Sequence, residues 1–256
     1  METLVVGAGA MGRWFGTVLQ ENGPESAHLS FCDTERARAV AAADAVGGEA
    51  VTPETATAAD LVCIAVPIPA APDAIESYAE CATQAIVDLT GTMEQPLAAM
   101  QSATPACERA SFHPLFAPEN EPGNIPTVVD EGGPTVDAVL TALRDRGNDV
   151  FETTASRHDE LMETVQARTH TAVLAFALTG EAVPEQYHTP ISAGLADLAD
   201  QVVDGEGRVY ADIQTAFEGA DDIADAAAEI AAADRATFEQ LYDQAKTART
   251  GGDEES

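Results

Sequence analysis

The sequence predicts an α/β protein with a mostly parallel sheet in its N-terminal domain and an all-helical C-terminal domain. Short apolar runs alternate with stretches of helical periodicity from residue 3 to about residue 152. The strand signals then stop, and the rest of the chain carries helical patterns. Such alternation is typical of an open sheet with helices on both faces, and the change of pattern predicts a domain boundary.

The strand candidates are short apolar runs bounded by turn residues. They are Leu4–Val6, Ala27–Cys32, Leu61–Val66, Ile86–Leu89, Ala110–Phe112, Thr127–Val129 and Asp149–Phe151. The helices predicted between them are Ala10–Asn22, Glu35–Val46, Asp73–Thr83, Pro96–Gln101 and Thr135–Arg146. The later helices are Ser156–Leu178, Pro190–Val203, about Val209–Phe217 and Ile223–Thr247. We therefore expect domains at residues 1–152 and 153–248, followed by a disordered acidic tail at residues 249–256.

The charge balance excludes several classes of protein. The 256 residues include 44 acidic and 12 basic side chains, for a net charge of −32. A phosphate backbone would be repelled, so nucleic-acid binding is not expected, and no apolar run reaches the roughly 18 residues that span a bilayer. The acids are spread along the whole chain, which is typical of a salt-loaded cytoplasm. We expect a halophilic, cytoplasmic protein, since the N-terminus also lacks a basic and apolar leader.

The cysteines carry no metal or disulfide signature. They stand at positions 32, 63, 81 and 107, without a C-x-x-C spacing or a paired histidine. Neither a metal site nor a redox pair is predicted.

A glycine-rich segment follows the first predicted strand. Gly7, Gly9 and Gly12 form a G-x-G-x-x-G that opens the first helix, with Ala10 and Met11 in its first turn. Glycines at these places permit a tight turn, a close approach of a pyrophosphate, and close packing of helix and strand. The free N–H groups of the helix N-terminus then favour the phosphates. This pattern predicts a Rossmann-type dinucleotide site.

Two further features fit a dinucleotide site. Asp33 ends the second strand at the distance where a carboxylate accepts from the ribose 2′-OH, which favours NAD over NADP. Arg36 and Arg38 follow closely, so NADP stays open. Val66 and Pro67 end a third strand at its carboxyl end, where open sheets bind ligands.

A histidine after a short strand is the candidate catalytic base. His113 stands in the segment Ser111-Phe112-His113-Pro114-Leu115-Phe116-Ala117-Pro118, whose prolines stiffen the loop. A neutral imidazole suits the removal of a proton from an alcohol that is oxidised by hydride transfer. A histidine that only caps a turn is an equal alternative from these residues alone.

The chain resembles the prephenate dehydrogenases. The resemblance rests on the glycine loop with Asp33, on Asp88-Leu89 through Pro96-Leu97, on the His113 segment, and on His158-Asp159 with His170 twelve residues later. Pro190-Ile191 and Tyr210-Ala211-Asp212-Ile213 extend it over nearly the whole chain.

The resemblance implies NAD-dependent oxidative decarboxylation of prephenate to 4-hydroxyphenylpyruvate in tyrosine biosynthesis, with His113 as the base. It also implies that Gln166 and His170 line the substrate cleft, and that the helical domain forms a homodimer. His158 and Asp159 are expected to start and orient their helix rather than to react.

The sequence departs from the family at two functional positions. Where the family usually has Ser-Val-Lys, with a serine that helps to orient the histidine, this chain has Gly91-Thr92-Met93, so Thr90 or Thr92 would take that role. Where the family usually has an arginine that binds a substrate carboxylate, this chain has Gln201. Arg168 and Arg208 are therefore the candidates for that role.

Several alternatives stay open. Arogenate dehydrogenase differs mainly in an amino group on the substrate, and another NAD(P)-dependent oxidoreductase is a broader possibility. A deazaflavin-dependent reductase shares the glycine loop but gives no reason for the His113 segment. A non-catalytic nucleotide-binding regulator would keep the glycines and Asp33 and lose the chemistry. A lysine-dependent hydroxyacid dehydrogenase is disfavoured, because the one lysine, Lys246, lies near the C-terminus.

Overall fold

A computed structural model describes residues 1–24, 27–181 and 183–250, without the side chains of residues 249 and 250. The described chain divides into two compact units. The first comprises residues 1–162 and 211–216, and the second comprises residues 163–210 and those after 216. The first unit therefore extends about ten residues beyond the expected boundary at 152, into the start of the helix expected over Ser156–Leu178, and it also takes in residues 211–216.

Eight strands of the described chain form one sheet in the first unit. They are β1 (Glu2–Val6), β2 (His28–Cys32), β3 (Glu49–Val51), β4 (Ala59–Ile64), β5 (Ala82–Asp88), β6 (Glu108–Phe112), β7 (Asn124–Glu131) and β8 (Asp149–Glu152). Their order is β3-β2-β1-β4-β5-β6-β7-β8, and every neighbouring pair is parallel except β6 with β7. The predicted mostly parallel sheet is confirmed. Strand β3 is an addition, because three residues at an edge are too few for a periodic signal.

Helices cover both faces of this sheet. The first unit contains α1 (Ala10–Asn22), α2 (Arg36–Val46), α3 (Ala71–Tyr78), α4 (Glu94–Ala103), α5 (Pro134–Asp145) and α6 (Ala155–Met162). Apolar residues of α1, α2 and α5 bury one face of the sheet, including Phe15, Ala39 and Val139. Those of α3 and α4, including Ile75 and Met100, bury the other. The carboxyl ends of β1, β4, β5 and β6 therefore meet at one edge, with the change of strand order between β1 and β4.

The second unit is helical where it is described. A π-helical turn (Glu163–Arg168) follows α6, and then come α7 (Thr169–Thr179), α8 (Pro190–Val203), α9 (Gly207–Ala216, of which the last six residues belong to the first unit), α10 (Ala220–Ala232) and α11 (Arg235–Thr250). Helix α8 begins with a capping box between Thr189 and Ser192, and its predicted bounds are confirmed. The apolar side chains of Leu178, Ile191 and Leu198 are exposed. The expected homodimer stays a prediction.

The last predicted helix differs from the structure. The single helix expected over Ile223–Thr247 is two helices, because the chain breaks at Ala233 and Asp234, and the Asp234 carboxylate accepts from the N–H of Thr237 to cap α11. Helix α11 continues to Thr250, two residues into the expected tail of residues 249–256, and the rest of that tail lies outside the described residues. No helix in the described part of the chain combines the length and the apolar content that crossing a bilayer requires.

Candidate functional site

The loop between β1 and α1 has a backbone that its glycines require. Gly7 has a φ of +97°, and a Cβ there would collide with the carbonyl oxygen of Ala65. A Cβ on Gly12 would collide with the carbonyl oxygen of Gly7. At Gly9, in contrast, a Cβ would meet no atom within 4 Å. Gly7 and Gly12 thus serve the close packing of the fold, and the space above Gly9 is open to a ligand.

The N-terminus of α1 is built to receive an anion. Gly9 is its N-cap and supplies no side-chain oxygen to the first-turn amides, which include those of Ala10 and Met11. These amides and the positive end of the helix dipole favour a negatively charged group. The residues present therefore fit the pyrophosphate of a dinucleotide.

Asp33 connects the end of β2 to the glycine loop. Its Oδ2 accepts from the N–H of Ala8 at 2.8 Å, and its Oδ1 accepts from the N–H of Glu35 at 2.8 Å. The Thr34 hydroxyl also donates to Oδ1, at 3.5 Å, while Oδ2 retains a second lone pair that can accept from a ribose hydroxyl. Arg38 pairs with Glu35 at 2.9 Å on the surface.

The segment after β4 runs from the cofactor side of the sheet toward His113. Val66 and Pro67 follow β4 at the carboxyl edge and lead into a short 3₁₀ turn that contains Ile68. The position that a Cβ would take on Gly91 lies 2.9 Å from Ile68 Cδ1 and 3.7 Å from His113 Nε2. The Nε2 atom of His113 therefore faces the space beside Gly91.

A buried hydrogen-bonded series of side chains extends from His113. Its Nδ1 lies 2.9 Å from Nε2 of His158, and Nδ1 of His158 lies 2.7 Å from Oδ1 of Asp159. The carboxylate of Asp159 also accepts from the N–H groups of Met93 and Glu94, at 3.0 and 3.1 Å, where α4 begins. We call His113, His158 and Asp159 the histidine relay.

The relay fixes which nitrogen of His113 can take a proton. A carboxylate accepts, so Nδ1 of His158 donates to Asp159, and when the His158 ring carries only this proton, its Nε2 is an acceptor. Nδ1 of His113 therefore donates to His158. This leaves the lone pair of His113 on Nε2, the atom beside Gly91.

Burial keeps His113 neutral. It lowers the pKa of His113 to about 3, and the neighbouring His158 adds to this effect while Asp159 opposes it. The imidazole is therefore uncharged at neutral pH and is a weak base. When the His113 ring accepts a proton during a reaction, the negative charge of Asp159, which is hydrogen-bonded to His158, stabilises the cation.

The sequence missed the role of His158. We expected this residue to start its helix, but α6 begins at Ala155, and the hydroxyl of Thr154 accepts from the N–H of Arg157 at the helix start. His158 is instead buried against His113, 45 residues earlier in the chain. The motif His158-Asp159 marked these residues in the sequence, but the pairing of His158 with His113 depends on the tertiary fold.

Thr90 and Thr92, the two threonines expected to orient His113, are both buried. The hydroxyl of Thr90 donates to Oδ2 of Asp88 at 2.6 Å. Its N–H donates to the same oxygen at 2.9 Å. The role of Thr92 stays a prediction, while His158 occupies Nδ1 of His113.

Asp88 is a buried carboxyl group at the end of β5. Burial raises its pKa to about 7, although the hydrogen bonds from Thr90 favour the charged form. Because these bonds hold the start of the loop that leads to Met93, Asp88 shapes the backbone on which Asp159 is anchored.

In the second unit, the predicted substrate-binding residues lie on α7 and on the π-helical turn Glu163–Arg168, which we call the π-turn. Gln166 belongs to the π-turn, and His170 is the second residue of α7. The ring of His170 packs edge-on against Tyr210, with centroids 4.9 Å apart. Its Nδ1 is buried, and no hydrogen-bond partner reaches it from the described residues. Burial lowers the pKa of His170, which favours the neutral ring.

The candidate arginines have acidic neighbours in their own unit. Arg168 donates from Nε and Nη2 to Oδ2 of Asp222, at 2.9 and 2.7 Å. Arg208 lies 3.7 Å from Glu206. Within the described residues, histidine, cysteine and carboxylate side chains form no group of three that could hold a metal ion.

Comparison with known proteins identifies the family of this chain. The family model described as NADP oxidoreductase coenzyme F420-dependent matches residues 3–91, which include the glycine loop and end before His113. The 4-amino-4-deoxyprephenate dehydrogenase of Streptomyces pristinaespiralis is 34% identical over 235 residues, covering 85% of this chain and 77% of that protein. The chain belongs to the prephenate dehydrogenase family. It is an NAD(P)-dependent oxidoreductase.

Solved structures share the fold of this family member. Prephenate dehydrogenase from Aquifex aeolicus, in complex with hydroxyphenyl propionate and NAD+, has a TM-score of 0.71 at 16% identity, covering 98% of this chain and 96% of that chain. Arogenate dehydrogenase from Synechocystis has a TM-score of 0.62 at 14% identity, covering 98% of this chain and 99% of that chain. The predicted fold class is thereby confirmed.

The different surroundings of two glycines predict opposite effects of alanine. Gly9→Ala leaves the melting temperature nearly unchanged, because the new methyl group meets open space, but weakens NAD binding by at least roughly tenfold, because that space receives the pyrophosphate. Gly7→Ala lowers the melting temperature through its collision and its positive φ. Calorimetry and NAD titration measure both effects. Unchanged NAD affinity in Gly9→Ala contradicts the assignment of the loop.

Asp88 makes stability depend on pH. The pKa of Asp88 is about 7 in the folded chain against an ordinary value of 3.8, so the unfolded chain releases the proton first as pH rises. Relative to Asp88→Asn, the wild type loses roughly 4 kcal/mol of unfolding free energy between about pH 4 and pH 7 and little more above that. Denaturant unfolding across this range measures the difference, with the exposed Asp44→Asn as control. A constant difference contradicts the raised pKa.

Proposed function

We propose that this chain catalyses the NAD-dependent oxidative decarboxylation of prephenate to 4-hydroxyphenylpyruvate in tyrosine biosynthesis. The observation that carries the proposal is the histidine relay, because it presents a neutral imidazole nitrogen of defined tautomer at the ligand edge of a dinucleotide-binding sheet. A non-catalytic regulator would gain nothing from a buried base held in this way.

The reaction needs a hydride acceptor and a base. NAD+, when bound, supplies the acceptor for the hydride that leaves the ring carbon bearing the 4-hydroxyl. Nε2 of His113 takes the proton of that hydroxyl as the C–H bond breaks. The bond between the ring and its carboxylate then breaks, carbon dioxide leaves, and the bonding electrons complete the aromatic ring by moving the carbonyl electrons onto the ring oxygen. That oxygen takes a proton back from His113 to form the product hydroxyl. Aromatisation supplies the driving force, so the chain must provide position, a base and a dry pocket.

The relay accounts for how His113 can hold the proton. Its cation is disfavoured by burial and by His158, and Asp159, hydrogen-bonded to His158, opposes these effects in part. Asp159 in turn rests on two backbone N–H groups at the start of α4, which stabilise its negative form. His113 is therefore a weak base, whose cation Asp159 partly stabilises.

The proposed cofactor preference is NAD. The Asp33 carboxylate, fixed by two backbone amides, would repel a 2′-phosphate in the place where it accepts from a ribose hydroxyl. Arg36 is exposed and Arg38 is paired with Glu35, so neither compensates that repulsion from a fixed position.

A second candidate substrate is 4-amino-4-deoxyprephenate, favoured by the relative from Streptomyces pristinaespiralis that carries this name. The same base would take a proton from nitrogen at the reacting carbon, and hydride transfer and loss of carbon dioxide would follow as before. Arogenate, with its side-chain amino group, is the third substrate to compare, since the Synechocystis arogenate dehydrogenase shares the fold.

Turnover and one substitution test the proposal together. NADH formation is followed in molar KCl with prephenate, 4-amino-4-deoxyprephenate and arogenate, each with NAD and with NADP. We expect the highest kcat/KM with prephenate and NAD. His113→Asn is expected to lower kcat by a factor of roughly 10² to 10⁴, with NAD affinity unchanged, because it removes the base and leaves the glycine loop intact.

His28→Asn is the matched control, because it changes an exposed histidine at the start of β2. Full turnover in His113→Asn overturns the assignment of the base. NAD binding without turnover of any substrate contradicts the proposed reaction and favours a regulator.

A further inference from the structure

The π-turn is held by an arginine clamp whose parts all lie in the second unit. Nη1 of Arg168 donates to the hydroxyl of Thr164 at 2.8 Å, while Nε and Nη2 donate to Asp222. Nη2 also lies 3.6 Å from Glu163. One guanidinium thus connects the last residue of the π-turn to its first two residues and to the first turn of α10.

The start of α10 is shaped for this side chain. Gly219, its N-cap, has a φ of +111°, and a Cβ there would come within 2.8 Å of Cγ and 2.9 Å of Nε of Arg168. The missing side chain lets the guanidinium lie across the helix start. Asp222 stands in the first helical turn, where the helix dipole stabilises a carboxylate.

The charge around Arg168 argues against direct substrate binding. Asp222 and Glu163 bring two negative charges to one guanidinium, so the group carries a net charge of about −1. A substrate carboxylate approaching it would have to displace Asp222 from two hydrogen bonds. Arg168 is therefore better placed to hold its own chain than to bind an anion.

The held segment carries the residues expected to meet the substrate. Gln166 lies inside the π-turn, and His170 is the second residue of α7, which follows directly. π-turns occur frequently at functional sites, because they change the direction of the side chains that follow. The buried Nδ1 of His170, which no described residue reaches with a hydrogen bond, is a polar atom whose position then matters for a ligand.

We propose that Arg168 is a positioning residue, which with Asp222 fixes the π-turn and so presents Gln166 and His170 to the substrate. This proposal rests on the proposed function, under which Gln166 and His170 bind the substrate. It gives Arg168 a different role from the carboxylate ligand that the sequence suggested.

The direction in which Asp222→Asn changes the substrate KM separates the two roles. If Arg168 positions the turn, Arg168→Ala and Asp222→Asn each raise the substrate KM by a similar factor, roughly tenfold, and the double variant is no worse than either one. The KM for NAD stays unchanged. If Arg168 binds the substrate carboxylate, Asp222→Asn releases the guanidinium and lowers the substrate KM, which overturns the proposal. Asp221→Asn, the same charge change one residue away, is the control.

A second readout does not depend on the reaction. Hydrogen–deuterium exchange of the amides at residues 164–170 is expected to accelerate in both Arg168→Ala and Asp222→Asn and to stay unchanged in Asp221→Asn. Unchanged exchange in both variants overturns the clamp whatever the substrate is. Accelerated exchange in an enzyme that turns over no tested substrate supports the clamp and contradicts the proposed function alone.

Discussion

The hydrogen bond between His113 and His158 is the interaction on which the chemistry of this structure depends. It joins the end of β6 to α6, and through Asp159 it reaches the first turn of α4. Burial alone would leave an uncharged imidazole with either nitrogen protonated. The series of acceptors ending in a carboxylate selects one tautomer, and the same series offers a negative charge when the ring takes a proton. Orientation and basicity therefore come from a single set of contacts.

The loop that carries His113 is also fixed against the cofactor-binding helix. Phe116, three residues later, packs edge-on against Trp14 of α1, with ring centroids 5.5 Å apart. At the far end of the loop, Gly123 donates to the side chain of Asn148. Helix α1 in turn approaches β1 as closely as Gly7 and Gly12 permit. The base and the dinucleotide loop are thus positioned by one packed framework, which is what a reaction limited by geometry requires.

The sequence predicted what depends on local pattern and missed what depends on contacts between distant residues. Periodicity located α1 and α8 at their observed bounds, and the glycine spacing located the dinucleotide loop, because each signal lies within a short segment. The pairing of His113 with His158 joins residues 45 positions apart, and the burial of Asp88 depends on both faces of the sheet. The engagement of Arg168 by Asp222 likewise needed the folded chain, since the sequence offered Arg168 only as a substitute for the arginine that Gln201 replaces.

The tautomer of His113 is the most direct test of this account. Long-range ¹⁵N–¹H correlation spectra of the histidine rings, with His113→Asn to assign the signals among the five histidines, report which nitrogen carries the proton. At pH 7 we expect a neutral ring with the proton on Nδ1 and none on Nε2. A proton on Nε2, or a charged ring at that pH, would contradict the relay as the source of the base.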